Sequence, residues 1–162
     1  MKRLLLGAAV AVSLILPAFA KNFAFPTKNP VATIVIPDNW KTEEIDYGYS
    51  ARSPDDDVFF SVEFARAKQI DALFADNAKW MKENKIKDNG KPEKNKISLN
   101  GIEAEVFTFN TTDANGPTIV DFVIMSGGQD RVILLTLWAS EDERKANSKD
   151  IDAMMNSIKP IN

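Results

Sequence analysis

Neither cysteine nor histidine occurs anywhere in this chain, and the two absences together exclude much chemistry. Without histidine there is no Ser-His-Asp triad and no imidazole base that titrates near neutrality. Without either residue, zinc, copper and iron lose their usual nitrogen and sulfur ligands. Thiol redox chemistry and disulfide staples are excluded too, so apolar packing alone must stabilise the fold. Short catalytic signatures are also missing: there is no GxSxG, SxxK, P-loop or GxGxxG pattern. Two carboxylates could still drive glycoside hydrolysis, but no spacing singles out a pair. We therefore expect no catalytic residues, no cofactor and no enzyme activity.

The first twenty residues contain what a secretion signal needs. Lys2 and Arg3 supply the positive start, and Leu4 to Leu16 is an uncharged apolar run of 13 residues. Pro17 breaks it, and Ala18-Phe19-Ala20 places small residues before a cut expected between Ala20 and Lys21. A spanning helix wants about 20 apolar residues, which this run does not reach. With no cysteine to acylate, a lipoprotein anchor is excluded. The signal looks bacterial, so the periplasm is the expected location and secretion the alternative, with no stable membrane insertion after cleavage.

Residues 21–162 are expected to form one domain. Without Lys2 and Arg3, 18 cations face 23 acids, a net charge of −5. That sign disfavours a phosphate backbone as partner, so nucleic acid is not expected. An unknown envelope or secreted protein is the expected partner.

Local patterns predict the elements. Val31 to Ile36 reads as a strand ending at Pro37, after a polar lead from Lys21 to Pro30. Glu44 to Arg52 and Val58 to Ala65 read as two strands joined by the Ser53-Pro54-Asp55-Asp56-Asp57 turn. Ile70, Leu73, Phe74, Asn77, Trp80 and Met81 recur at helical spacing, predicting a helix from Asp71 to about Asn84. Ile86 to Lys96 reads as a solvated, lysine-rich connection. Lys96 to Leu99 and Ile102 to Phe109 flank Asn100-Gly101, the pair a type I′ hairpin favours. Thr118 to Met125 and Arg131 to Trp138 are two more strands. Ser140 and Glu143 match a capping box, opening a helix buried through Ile151, Met154, Met155 and Ile158 and ended by Pro160. Hairpins dominate, and Val132 to Trp138 is apolar on both faces. The expected class is α+β, an antiparallel β-sheet covered by a helix on each face, an α/β/α sandwich.

Some residues invite a functional reading. Trp40, Tyr47 and Tyr49 could line a partner surface, since aromatics anchor interfaces, although an indole such as Trp40 buries well at the mouth of a core. Tyr47 and Tyr49 are expected on one strand face. Trp80 and Trp138 fall on core stripes. Asp55, Asp56 and Asp57 are weak calcium candidates; aspartate also favours hairpin tips for local reasons. Asp113-Ala114-Asn115-Gly116 starts like a calcium loop but lacks the later glutamate. Asn110-Thr111-Thr112 fits a glycosylation pattern that carries little weight in a bacterium. The lysines between Lys82 and Lys96 are diluted by Glu83, Asp88 and Glu93.

The strand ending in Ile36-Pro37-Asp38-Asn39-Trp40, the hairpin at Ser53-Pro54-Asp55, the mid-chain helix, the Asn100-Gly101 hairpin and the closing Met154-Met155-Asn156-Ser157-Ile158-Lys159 together resemble the PsbP-like superfamily. The resemblance runs from about Val31 to Pro160. That superfamily is named for an extrinsic photosystem II protein and extends to a Ran-binding nuclear-import factor and many exported bacterial proteins. It implies the α/β/α sandwich and a non-catalytic module that binds or helps assemble other proteins. No Ran-binding or photosystem-specific residue is carried over.

Overall fold

A computed structural model describes residues 20–161, so the apolar run before Ala20 lies outside the described residues. The strands are β1 (Ala20–Phe25), β2 (Ala32–Pro37), β3 (Lys41–Ile45), β4 (Gly48–Arg52), β5 (Phe59–Arg66), β6 (Lys87–Asp88), β7 (Glu93–Leu99), β8 (Ile102–Thr112), β9 (Pro117–Ser126), β10 (Arg131–Ala139) and β11 (Lys159–Pro160). The helices are α1 (Ile70–Glu83), α2 (Glu141–Ala146) and α3 (Ser148–Asn156), with a 3₁₀ turn at Ala67–Gln69. The class is α+β with antiparallel pairing throughout the described ladders. Two sheets form where one was expected. The larger runs β3-β4-β5-β10-β9-β8-β6, with β7 also on β8, and the smaller runs β1-β2-β11.

β10 is the axis of the core. Its odd residues Ile133 and Leu135 join a buried cluster with Phe60, Val62, Phe25, Ile34, Ile36 and the α3 residues Ile151 and Met154. Its even residue Leu134 joins a second cluster with Val120, Phe122 and the α1 residues Leu73 and Met81. Residues of the smaller sheet and of α3 thus share the cluster of Ile133 and Leu135, and residues of α1 share that of Leu134. Each large apolar side chain removed from water contributes about 1.5–3 kcal/mol, so both alternating sets of β10 residues gain from burial.

Several expectations need correction. The supposed polar lead contains β1, whose alternating Phe23 and Phe25 dock on β2 through the pairs Phe23↔Ile34 and Phe25↔Ala32. The supposed single strand from Glu44 to Arg52 is the β3–β4 hairpin, turning at Asp46-Tyr47. Gly48 lets β4 lie close against β5: a β-carbon there would sit 1.9 Å from the Val62 carbonyl oxygen. The lysine-rich connection carries β6 and the start of β7, and Ile86 is buried beneath the end of α1. The last helix is two helices. Asn147 (φ −101°, ψ 10°) leaves helical geometry and its side-chain amide donates to the Glu143 carbonyl, the local competition that makes asparagine a poor helix interior. Pro160 lies in β11, opposite Ala32, after α3 has already stopped at Asn156. Trp80, Trp138 and Phe74 are half-buried rather than fully enclosed.

Other expectations match the structure. Asn100 and Gly101 both take positive φ (48° and 79°), as a type I′ turn requires, and join β7 to β8. The Ser140 hydroxyl accepts from the Glu143 amide while Glu143 accepts from the Ser140 amide, completing the capping box. Leu73, Val106 and Leu135 are buried.

Candidate functional site

The three aromatic residues proposed for a partner surface differ in exposure. Trp40 is 4% exposed and its indole N–H donates to Asp150 of α3 at 3.0 Å, so it is a rivet between the β2–β3 corner and the last helix. Tyr49 is half-buried on β4, its ring 4.9 Å from Phe23 of β1. Tyr47 sits in the β3–β4 turn and is 49% exposed, beside Phe64 and the first turns of α1. The expectation that Tyr47 and Tyr49 share a strand face fails because Tyr47 is in the turn, outside the pleat.

The aspartates of the β4–β5 turn serve the turn. The buried Ser53 hydroxyl donates to Asp55 at 2.5 Å and accepts from the Val58 amide at 2.9 Å. That hydroxyl holds the Asp55 carboxyl below its ordinary value, while desolvation and the neighbouring acids hold Asp57 above its own. Asp56 pairs with Lys41 at 2.5 Å. Asp55 and Asp56 therefore take different partners, and among the described residues no three acidic groups are arranged to hold a metal ion. Ala20 and Lys21, the expected cleavage pair, are the first two residues of β1.

Sequence reading passed over a cleft of about 240 Å³ between the β3–β4–β5 ribbon and α1. Its floor is polar, with Ser50 opposite Ser61 in register and Glu63 two residues further along β5. One wall is aromatic: Phe59 stacks on Trp80 at 4.8 Å, Trp80 meets Trp138 edge-on at 5.8 Å, and the Arg52 guanidinium lies 5.2 Å from the Phe59 ring centre. The other wall is Asp76 and Asn77 of α1. Asn77 is buried; its amide donates to the Leu73 carbonyl at 3.0 Å and its carbonyl oxygen accepts from Thr136 at 3.1 Å.

Glu63 is the unusual group. Burial raises its carboxyl above the ordinary range, opposed by a hydrogen bond from Asn77 and reinforced by the charge of Asp76. The cleft thus presents two carboxyl groups against stacked rings, an arrangement suited to a cationic or hydrogen-bonding group. The available signal was Ser61 and Glu63 alternating with Phe60, Val62 and Phe64, polar residues in a strand whose neighbours demand cover on both faces.

No known family model matches the chain, and no curated protein sequence does. Solved structures do. The solution structure of the cyanobacterial PsbP protein CyanoP from Synechocystis sp. PCC 6803 superposes with a TM-score of 0.61 at 12% identity, covering 96% of this chain and 99% of that one. LpqN, described as involved in cell envelope biogenesis of Mycobacterium tuberculosis, gives 0.53 at 13% identity over 88% and 92% of the two chains. A Bacteroides thetaiotaomicron protein gives 0.58 at 12% identity; the match spans 88% of this chain and 48% of that longer one. The chain has a PsbP-like fold.

Proposed function

We propose that the protein is an exported, non-enzymatic interaction module, cleaved after Ala20, working in the periplasm as one α/β/α sandwich of residues 21–162 with a helix on each face. The observation that carries this is the filled interior: buried apolar clusters occupy both sides of β10, and the described clefts open at their rims. The likeness to CyanoP and LpqN supports an envelope setting. The partner surface is the Tyr47 turn with the mouth of the acidic cleft. There Tyr47 and the Phe59–Trp80 stack offer area, and Glu63 and Asp76 receive a basic side chain of an envelope or secreted protein.

Crosslinking from a photoreactive residue at position 46, the exposed neighbour of Tyr47 in the same turn, tests this reading in the native envelope. Capture of one protein, lost on Tyr47→Ala or Asp76→Lys with the fold intact, is the expected result. Capture indifferent to both substitutions defeats it.

Glu63 supports a second reading, a small-ligand carrier or carboxylate-based hydrolase using the cleft between sheet and helix. A carboxyl raised by burial beside a second carboxylate is how paired acids divide proton donation and acceptance. Native mass spectrometry of the mature protein would then recover a small molecule, and Glu63→Gln would release it.

A further inference from the structure

The like charges of Arg66 and Arg131 stand directly opposite each other across the β5–β10 ladder. Such pairs are unfavourable, and a strand pair ordinarily avoids them. The opposition is also rigidly imposed, because the Ala67 amide donates to the Asp130 carbonyl at 3.1 Å and holds the two strand ends side by side. Both arginines line a cleft of about 470 Å³ between these strand ends and the β1–β2 loop, which adds Lys28. Among the described residues, none of these three cations joins an ion pair. Asp130 is the cleft's one lining acid, so the lining carries a net charge of +2 on a protein whose described part is acidic overall. The floor includes the apolar side chains of Phe64 and Val31.

From this we infer that the cleft binds a phosphate monoester. Two guanidinium forks, carried by residues paired in register and lining one cleft, match the oxygens of a phosphoryl group and can supply paired charged hydrogen bonds. A charge of about −1.5 to −2 on a monoester balances the +2 lining, which a single carboxylate would leave half compensated. The volume lies within the range of small-molecule sites, and the apolar floor suits the organic part of an ester better than inorganic phosphate. The cost of opposing two arginines is what a site of this kind retains for its ligand, since stability is commonly sacrificed where binding needs it. This inference is independent of the acidic cleft and its proposed partner.

The phosphoryl group can belong to a soluble ester or to a lipid headgroup, and the test has an arm for each. Binding of glycerol 3-phosphate and inorganic phosphate is measured by calorimetry, and co-sedimentation is measured with phosphatidylcholine vesicles containing a minor fraction of phosphatidic acid. Wild type is expected to bind glycerol 3-phosphate more tightly than inorganic phosphate, or to sediment with the acidic vesicles. Arg66→Gln and Arg131→Gln should each weaken that binding about ten- to hundredfold, while the distant Lys96→Gln leaves it unchanged. In the absence of ligand, Arg66→Gln should raise Tm by about 1–4 °C by relieving the repulsion. A folded wild type that binds no probe, or binding reduced equally by Lys96→Gln, would overturn the proposal. So would binding that survives both arginine substitutions.

Discussion

The two faces of the larger sheet are built from the same β10 residues read in alternation, yet they differ in kind. Ile133 and Leu135 share an apolar cluster with residues of the smaller sheet and of α3. Its polar contacts sit at the rim, where Trp40 meets Asp150 and Arg144 pairs with Asp121 while donating to the Ile119 and Leu137 carbonyls. The side of Leu134 and Thr136 is different. Ser61, Asn77, Thr111, Thr118 and Thr136, five of the six buried polar residues, lie on it. One face is specified by volume, the other by hydrogen bonds. The Glu63 cleft opens on this side, between the β3–β4–β5 ribbon and α1.

The largest test of that contrast is Phe60→Ala against Phe74→Ala. Phe60 is 1% exposed within the apolar side, so its truncation should cost about 3–5 kcal/mol. Phe74 is half-buried on α1, against Phe107, and should cost only about 1–2 kcal/mol in denaturant titration. Equal losses would erase the distinction.

Next come the polar contacts. Thr136→Val and Asn77→Leu should each cost about 1–3 kcal/mol, because each strands a buried partner. The double substitution should cost clearly less than their sum, since it removes both ends of the bond together. Simple additivity would mean that the two side chains act separately. At the rim of the apolar side, Trp40→Phe should cost about 1–2 kcal/mol through the lost bond to Asp150.

The smallest effect concerns pH. The folded-state value of Glu63 is raised, so the native state holds that proton to higher pH than the unfolded chain does. Stability contributed by the neutral form is therefore present below the ordinary carboxyl range of about 4.3 and is lost as pH rises through the raised value. Glu63→Gln should melt higher than wild type at neutral pH, and the gap should close in acid. A gap independent of pH would show that Glu63 titrates normally.

Much of the strand and helix content was legible because it depends on neighbours in sequence. The Asn100-Gly101 turn, the Ser140–Glu143 capping box and the α1 stripe are local devices, and each sits where its pattern places it. Errors arose where a distant partner decides. β1 looks like a polar lead because three of its six residues face water, and it becomes a strand only by pairing with β2. Gly48 opens β4, and only the Val62 carbonyl lying against it shows why no β-carbon fits there. Neither cleft was visible, because each is assembled from residues far apart: Ser50 with Asn77, and Lys28 with Arg66 and Arg131.

Composition and short-range pattern alone determined that thiol and imidazole chemistry are excluded, that stability rests on apolar packing, and that the fold mixes antiparallel hairpins with amphipathic helices. Those conclusions need only side-chain chemistry and the periods of strand and helix. Tertiary structure decided that the strands divide into two sheets, that Trp40 is a buried rivet while Tyr47 is exposed, and that Glu63 and the opposed arginines line separate clefts. The reason is geometric: burial, charge compensation and cavity shape are set by which distant segments meet, and register across a sheet is not written in any one strand.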